Sequence, residues 1–279
     1  MARHPELYSE VRRMLNKLIR ANLNDLWLFI GVEGGIFLLV EAVIGCVMFF
    51  ARPVDGVSVA WIMLPLAAGF AALMAVTGHA AITFDLALRF GQTRRRAMGQ
   101  FLGLSCFETA FGFVLAAVLA ALERFVCPAL WVRLAGLDGW VQGRTGSMPA
   151  APLPDIPGME AEPGRVFVNA AGDIVPLPEN TLLLRDFSLD WYWWLLIFAA
   201  ALIFGIIIGA LIQRFGQKGL WVIWGFWMVL IFMPQLLRWE LFDSLSRFSP
   251  LLFPVVIGVF AVGLLLWSLW SMLHAVVRA

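Results

Sequence analysis

Six stretches of this chain are apolar enough, over enough residues, to cross a bilayer: near 26–50, 58–84, 98–122, 191–213, 220–236 and 250–274. A hydrocarbon core ~30 Å thick takes about 20 helical residues to cross. Inside it, every backbone N–H and C=O must be paired within the segment, so each stretch is forced into a helix. The expected fold is an all-α integral membrane protein with six transmembrane helices and the lipid bilayer as its first partner. Composition agrees. Of 279 residues, 61% are hydrophobic and only 14% are charged, against roughly 25% charged in ordinary soluble domains. That excludes a water-soluble enzyme. A net charge of +1 gives no general attraction to polyanions, so no nucleic acid is expected as a partner.

Residues 5–23 read as an amphipathic helix lying in the membrane interface. Leu7, Val11, Met14, Leu15 and Leu18 recur at three- and four-residue steps, with Arg12, Arg13, Lys17 and Arg20 elsewhere on the wheel. No cleavable signal is expected in these charged first residues. Basic residues gather in this segment, at Arg89 and Arg94–Arg96, at Arg214 and Lys218, and at Arg278. The Lys/Arg bias therefore places both termini in the cytoplasm. Trp27, Trp61, Trp191, Trp193, Trp194, Trp221 and Trp239 fall near span ends, where amphipathic rings prefer the interface. The long segment 123–190 is acidic, Pro- and Gly-rich, and external. It is expected to be irregular apart from a small β-hairpin at RVFVNAAGDIVPLP (165–178). The chain thus divides into 1–122 (interfacial helix, first three spans and a cytoplasmic segment 85–97), 123–190 (external) and 191–279 (last three spans). The cysteines show no metal spacing, and Cys46 and Cys106 read as small buried hydrophobes.

The tetrapeptide RFGQ occurs twice, at 89–92 and 214–217. Each copy joins an inward-going span to an outward-going one. Phe90 and Phe215 are placed to anchor at the interface, and Gly91 and Gly216 to permit a tight reversal. The polar segment Asp85–Gln100 is long enough for a helix parallel to the membrane.

The segment DLALRFGQTRRRAMGQFLG (85–103) is similar to the FGxTRR segment of ABC-2-type transporter permeases, the bacterial six-span branch. The six spans, amphipathic start and large outer loop also fit. The resemblance implies a permease subunit of an ATP-driven exporter in the bacterial plasma membrane, moving a hydrophobic or amphipathic peptide, drug or lipid. It implies a separate P-loop ATPase docked on the first turn, and a second permease, either another copy or a paralogue. Carried over, Arg89, Gly91, Thr93, Arg94, Arg95 and Arg96 would lie at the docking surface, joined at the second turn by Arg214, Gly216 and Lys218. The chain has no GxxxxGK[ST] loop of its own, so ATP and Mg belong to the partner. No catalytic residue, metal site or cofactor is expected in this chain.

Four ionisable side chains lie inside expected spans: Glu33, Glu41, His79 and Glu108. Charge at mid-bilayer costs about 3 kcal/mol on insertion scales, and such groups usually face the bundle interior. The three glutamates are spaced to line one polar track. They are candidates for substrate binding or gating, for proton relay, or for hydrogen bonds between helices. His79, near Asp85, reads as locally hydrogen-bonded or as a further substrate or gating residue. A proton-coupled secondary transporter is thus one alternative, and a non-transporting subunit that binds a partner through 123–190 is another. Gly31/Gly35 and Gly205/Gly209 carry small-xxx-small spacing, suited to packing within the chain or to a dimer face.

Overall fold

The computed structural model describes residues 23–144, 166–168, 174–176, 180–216, 218–219, 221, 224–225, 228–229, 232 and 252–274. The expected interfacial helix at 5–23 lies outside them except for its last residue, and the expected span 220–236 lies largely outside them. Helix α1 (Leu23–Ala51) is followed by strand β1 (Asp55–Ser58) and helix α2 (Ala60–Gly78). A π-helical turn (His79–Thr83) then leads into the short helix α3 (Phe84–Arg89). Next come α4 (Arg94–Phe125), α5 (Cys127–Ala135), β2 (Gly139–Arg144), β3 (Val166–Val168), β4 (Ile174–Pro176), β5 (Thr181–Asp186), α6 (Trp191–Phe215) and α7 (Leu252–Leu273).

Among the described residues four helical segments are long and apolar enough to cross a bilayer: Leu26–Ala51, Ala60–Arg89, Arg94–Ala135 and Trp191–Phe215. They mark a multi-pass membrane protein. Gly258–Leu273 is a shorter apolar helix. The helices end where the chain chemistry dictates. α1 stops at Arg52, which is left-handed (φ 46°) and precedes Pro53, a residue with no N–H to continue the ladder. α3 ends in a left-handed Gly91 (φ 80°), with Gln92 N–H donating to Ala87 O and Gly91 N–H to Leu88 O. This is the double-bonded glycine cap that satisfies the last carbonyls. The segment 85–97 is therefore not one helix lying along the membrane. It is a helix end, a tight turn and the first residues of α4. α6 ends in the simpler left-handed cap at Gly216 (φ 59°), whose N–H makes a single bond back to Ile212 O.

The chain forms two compact units, and their division falls within helices. The first comprises residues 69–110 and 198–279 together with 1–25. Its core joins Val76, Ala80, Phe84, Leu88, Phe101, Ile206, Ala210 and Met272. Gly205 and Gly209 bring α6 against α2: a Cβ on Gly205 would meet Val76 Cβ at 2.7 Å, and one on Gly209 would collide with Ala80 Cβ. This glycine pair packs within the chain, whereas Gly31, Gly34 and Gly35 of α1 have open space at the Cβ position.

The second unit comprises 26–68 and 111–197. It carries a three-stranded parallel sheet, order β1-β5-β2, in the register Asp55↔Leu183 and Gly139↔Thr181. Its core joins Met48, Trp131, Val132, Ala135, Leu182 and Leu184. The expected hairpin is present, with β3 and β4 antiparallel and Phe167 opposite Val175. The described residues of 123–190 also supply α5 and two of the three sheet strands, which were not expected. Cys46 and Cys106 are exposed rather than buried. In a bilayer the outer surface is itself apolar, so a small hydrophobe is equally at home there.

Candidate functional site

The π-helical turn in the first unit begins at His79, the one intramembrane imidazole. Such turns break the regular helix ladder and recur at functional sites. Here His79 Nε2 lies 2.7 Å from Glu108 Oε2 on α4, and Nδ1 lies 3.2 Å from Thr83 Oγ1, one turn along. His79 and Glu108 are both buried, Glu108 almost completely. Asp85 is engaged elsewhere, accepting from Arg89 Nε at 2.8 Å. The histidine thus has a local partner in Thr83 and a stronger one across the helix interface. Among the described residues, Glu108 Oε1 has no hydrogen-bond partner, and neither do the buried hydroxyls of Ser105 and Thr109. An unsatisfied buried polar group costs about 1–3 kcal/mol.

The other two glutamates belong to the second unit, each in surroundings of its own. Glu33 is fully buried, and neither of its oxygens has a partner among the described residues. Gly112 of α4 makes room for it, because a Cβ there would meet Phe29 at 2.6 Å and Glu33 Oε1 at 3.0 Å. Glu41 accepts from Trp131 Nε1 at 3.1 Å. Within the second unit, Glu33 and Glu41 thus have different neighbours, Phe29 and Gly112 for the first and Trp131 for the second.

A buried carboxylate that sequence reasoning left among the loop acids is Glu123. It accepts from Ser58 Oγ at 2.7 Å, from Val59 N–H at 3.1 Å and from Ala60 N–H at 2.9 Å. Its role is to close the N-terminus of α2. Nothing local announces it, because its partners lie 63 to 65 residues away.

The two RFGQ turns meet the end of α7. Arg94 donates to Leu273 O at 3.3 Å, and Arg214 donates to Ser271 Oγ at 3.1 Å. The Arg214 guanidinium also lies 5.4 Å from the centre of the Trp267 ring. Arg94 and Arg214 therefore hold the C-terminal turn of α7, where cations are favoured by the helix dipole. Thr93 O accepts the N–H of Ala97 in the first turn of α4. Arg95, Arg96 and Lys218 are exposed and make no hydrogen bond or ion pair with a described residue. Phe90 is 79% exposed and Phe215 46%.

No protein-family model, curated protein or solved structure matches this chain.

Proposed function

We propose that this chain is the membrane-spanning permease subunit of an ATP-driven exporter of amphipathic compounds, with a separate ATPase seated on the turns 89–96 and 214–218. One observation carries the reading: three arginines, Arg94–Arg96, open α4. The N-terminus of a helix carries partial positive charge, so each cation there costs about 0.3–1 kcal/mol at an exposed site. Arg94 recovers some of that cost at the end of α7. Arg95 and Arg96 do not, and their charge is best explained by something acidic outside the chain. The second RFGQ turn stands at the same end of its unit, tied to α7 as the first is. Gly91 and Gly216 give the two turns their shape, Arg89 locks α3 through Asp85, and Lys218 extends the basic surface.

The test is copurification. The double substitution Arg95→Glu and Arg96→Glu is expected to remove a P-loop ATPase from the purified complex and to stop ATP-driven efflux, while the chain elutes as wild type does. Undiminished copurification and efflux would refute the docking surface. A proton-coupled secondary transporter is the second reading, favoured by the buried His79–Glu108 pair. Efflux by the purified chain alone, driven by a pH gradient without ATP, would select it.

A further inference from the structure

The first unit holds a row of buried oxygen atoms that no described residue satisfies. Glu108 is 1% exposed, and Ser105 and Thr109 are 0% exposed. Glu108 Oε1, Ser105 Oγ and Thr109 Oγ1 have no hydrogen-bond partner among the described residues. Ser105 stands one turn before both Glu108 and Thr109 (i, i+3 and i+4) on α4, so its Cβ lies about 5–6 Å from each of theirs, with Glu108 and Thr109 on either side of it. Across the helix interface, the π-helical turn presents His79 to the second oxygen of Glu108. The carboxylate is thus held by one oxygen while the other is left to accept.

The charge of the pair decides what it accepts. With a single proton between them, His79 donates from Nε2 to an ionised Glu108, and the pair carries one negative charge. Nδ1 then accepts from the Thr83 hydroxyl. A second proton neutralises the pair and reverses the Thr83 contact, which a hydroxyl permits because it both donates and accepts. In the singly protonated form the site offers one negative charge and three acceptor oxygens on one turn of helix. A hard metal cation takes six or more oxygens around it, which three from a single turn do not supply. A primary ammonium carries one positive charge and exactly as many N–H donors, three, as there are oxygens waiting.

We propose that Glu108, Ser105 and Thr109 seat the primary-ammonium head of an amphipathic ligand. His79 is a positioning residue that fixes the carboxylate. As a substrate class this deepens the export reading and rests on it, but the binding itself needs no ATPase.

Calorimetry on the full chain in lipid nanodiscs tests it, with hexylammonium, hexyltrimethylammonium, hexanol and sodium ion as probes. Hexylammonium is expected to bind saturably. The trimethyl analogue, which has the charge but no N–H, should bind about tenfold more weakly or worse, and hexanol should give no saturable signal. Glu108→Gln should abolish hexylammonium binding. Thr109→Val, which keeps the side-chain shape, should weaken it by about tenfold, and it becomes the deciding variant if Glu108→Gln fails to elute as folded. His79→Gln, which keeps an N–H toward Glu108, should restore much of what His79→Ala loses. Equal binding of both ammonium probes, a site taken only by sodium, or undiminished binding in Thr109→Val would overturn the proposal. Lost binding in the wild-type chain with intact ATPase copurification sinks the seat alone. Intact binding without an ATPase sinks the export reading alone.

Discussion

Glu123 shows how one side chain organises a helix start. The first N–H groups of any helix have no intrahelical partner and carry the positive end of its dipole. The Glu123 carboxylate meets both needs at α2, taking the N–H groups of Val59 and Ala60 and fixing Ser58 at the end of β1. Removing it leaves those donors unpaired in a buried place. Glu123→Ala should lower the unfolding free energy in detergent by about 2–3 kcal/mol, and Ser58→Ala by about 1 kcal/mol. Chemical denaturation measures both, and a Glu123→Ala chain as stable as wild type would contradict the capping role. Legibility at this scale follows sequence distance. The left-handed glycines Gly91 and Gly216 could be read directly, because a turn is made by its neighbours. The partners of Glu123 and of His79 could not, since they stand on other helices, 63 to 65 and 29 residues away.

Two glycine pairs of identical spacing do different things at the scale of the element. Gly205 and Gly209 let α6 approach α2 until Val76 and Ala80 fill the space a side chain would need. Gly31 and Gly35 have no described residue within 4 Å of where a Cβ would lie. Spacing alone leaves both uses open, and only the partner surface decides. Gly209→Leu should therefore destabilise the chain by about 1–3 kcal/mol or more through overpacking. Gly31→Leu should leave the stability of the single chain unchanged. Thermal unfolding of the two variants side by side checks the contrast, and equal losses would refute it. Long apolar runs were legible as helices because the bilayer leaves the backbone no other choice. The hairpin β3–β4 was legible because its pairing is local. Helix α5 was not, because its nine residues are too few to span. It is held instead by one face, Trp131, Val132 and Ala135, packed with Met48, Leu182 and Leu184. Strands β1 and β5 were hidden for a related reason. They have four and six residues, and their parallel pairing joins distant parts of the chain.

For the whole molecule, the question is which helix ends share a side of the membrane. Within the first unit, Arg94 reaches Leu273 O and Arg214 reaches Ser271. The turns after α3 and α6 and the end of α7 must therefore open on one face, independently of any charge rule. The Lys/Arg bias predicts that this face is the cytoplasmic one. Single cysteines at Gln92, Lys218 and His274, introduced into a chain whose Cys46, Cys106 and Cys127 are replaced by Ser, make the argument testable. In right-side-out vesicles a membrane-impermeant maleimide should label none of the three, and in inverted vesicles it should label all three. Labelling of all three from outside would keep the shared face and reverse its assignment. Labelling of His274 from the side opposite Gln92 would break the shared face itself, and with it the basis for seating one ATPase on both turns.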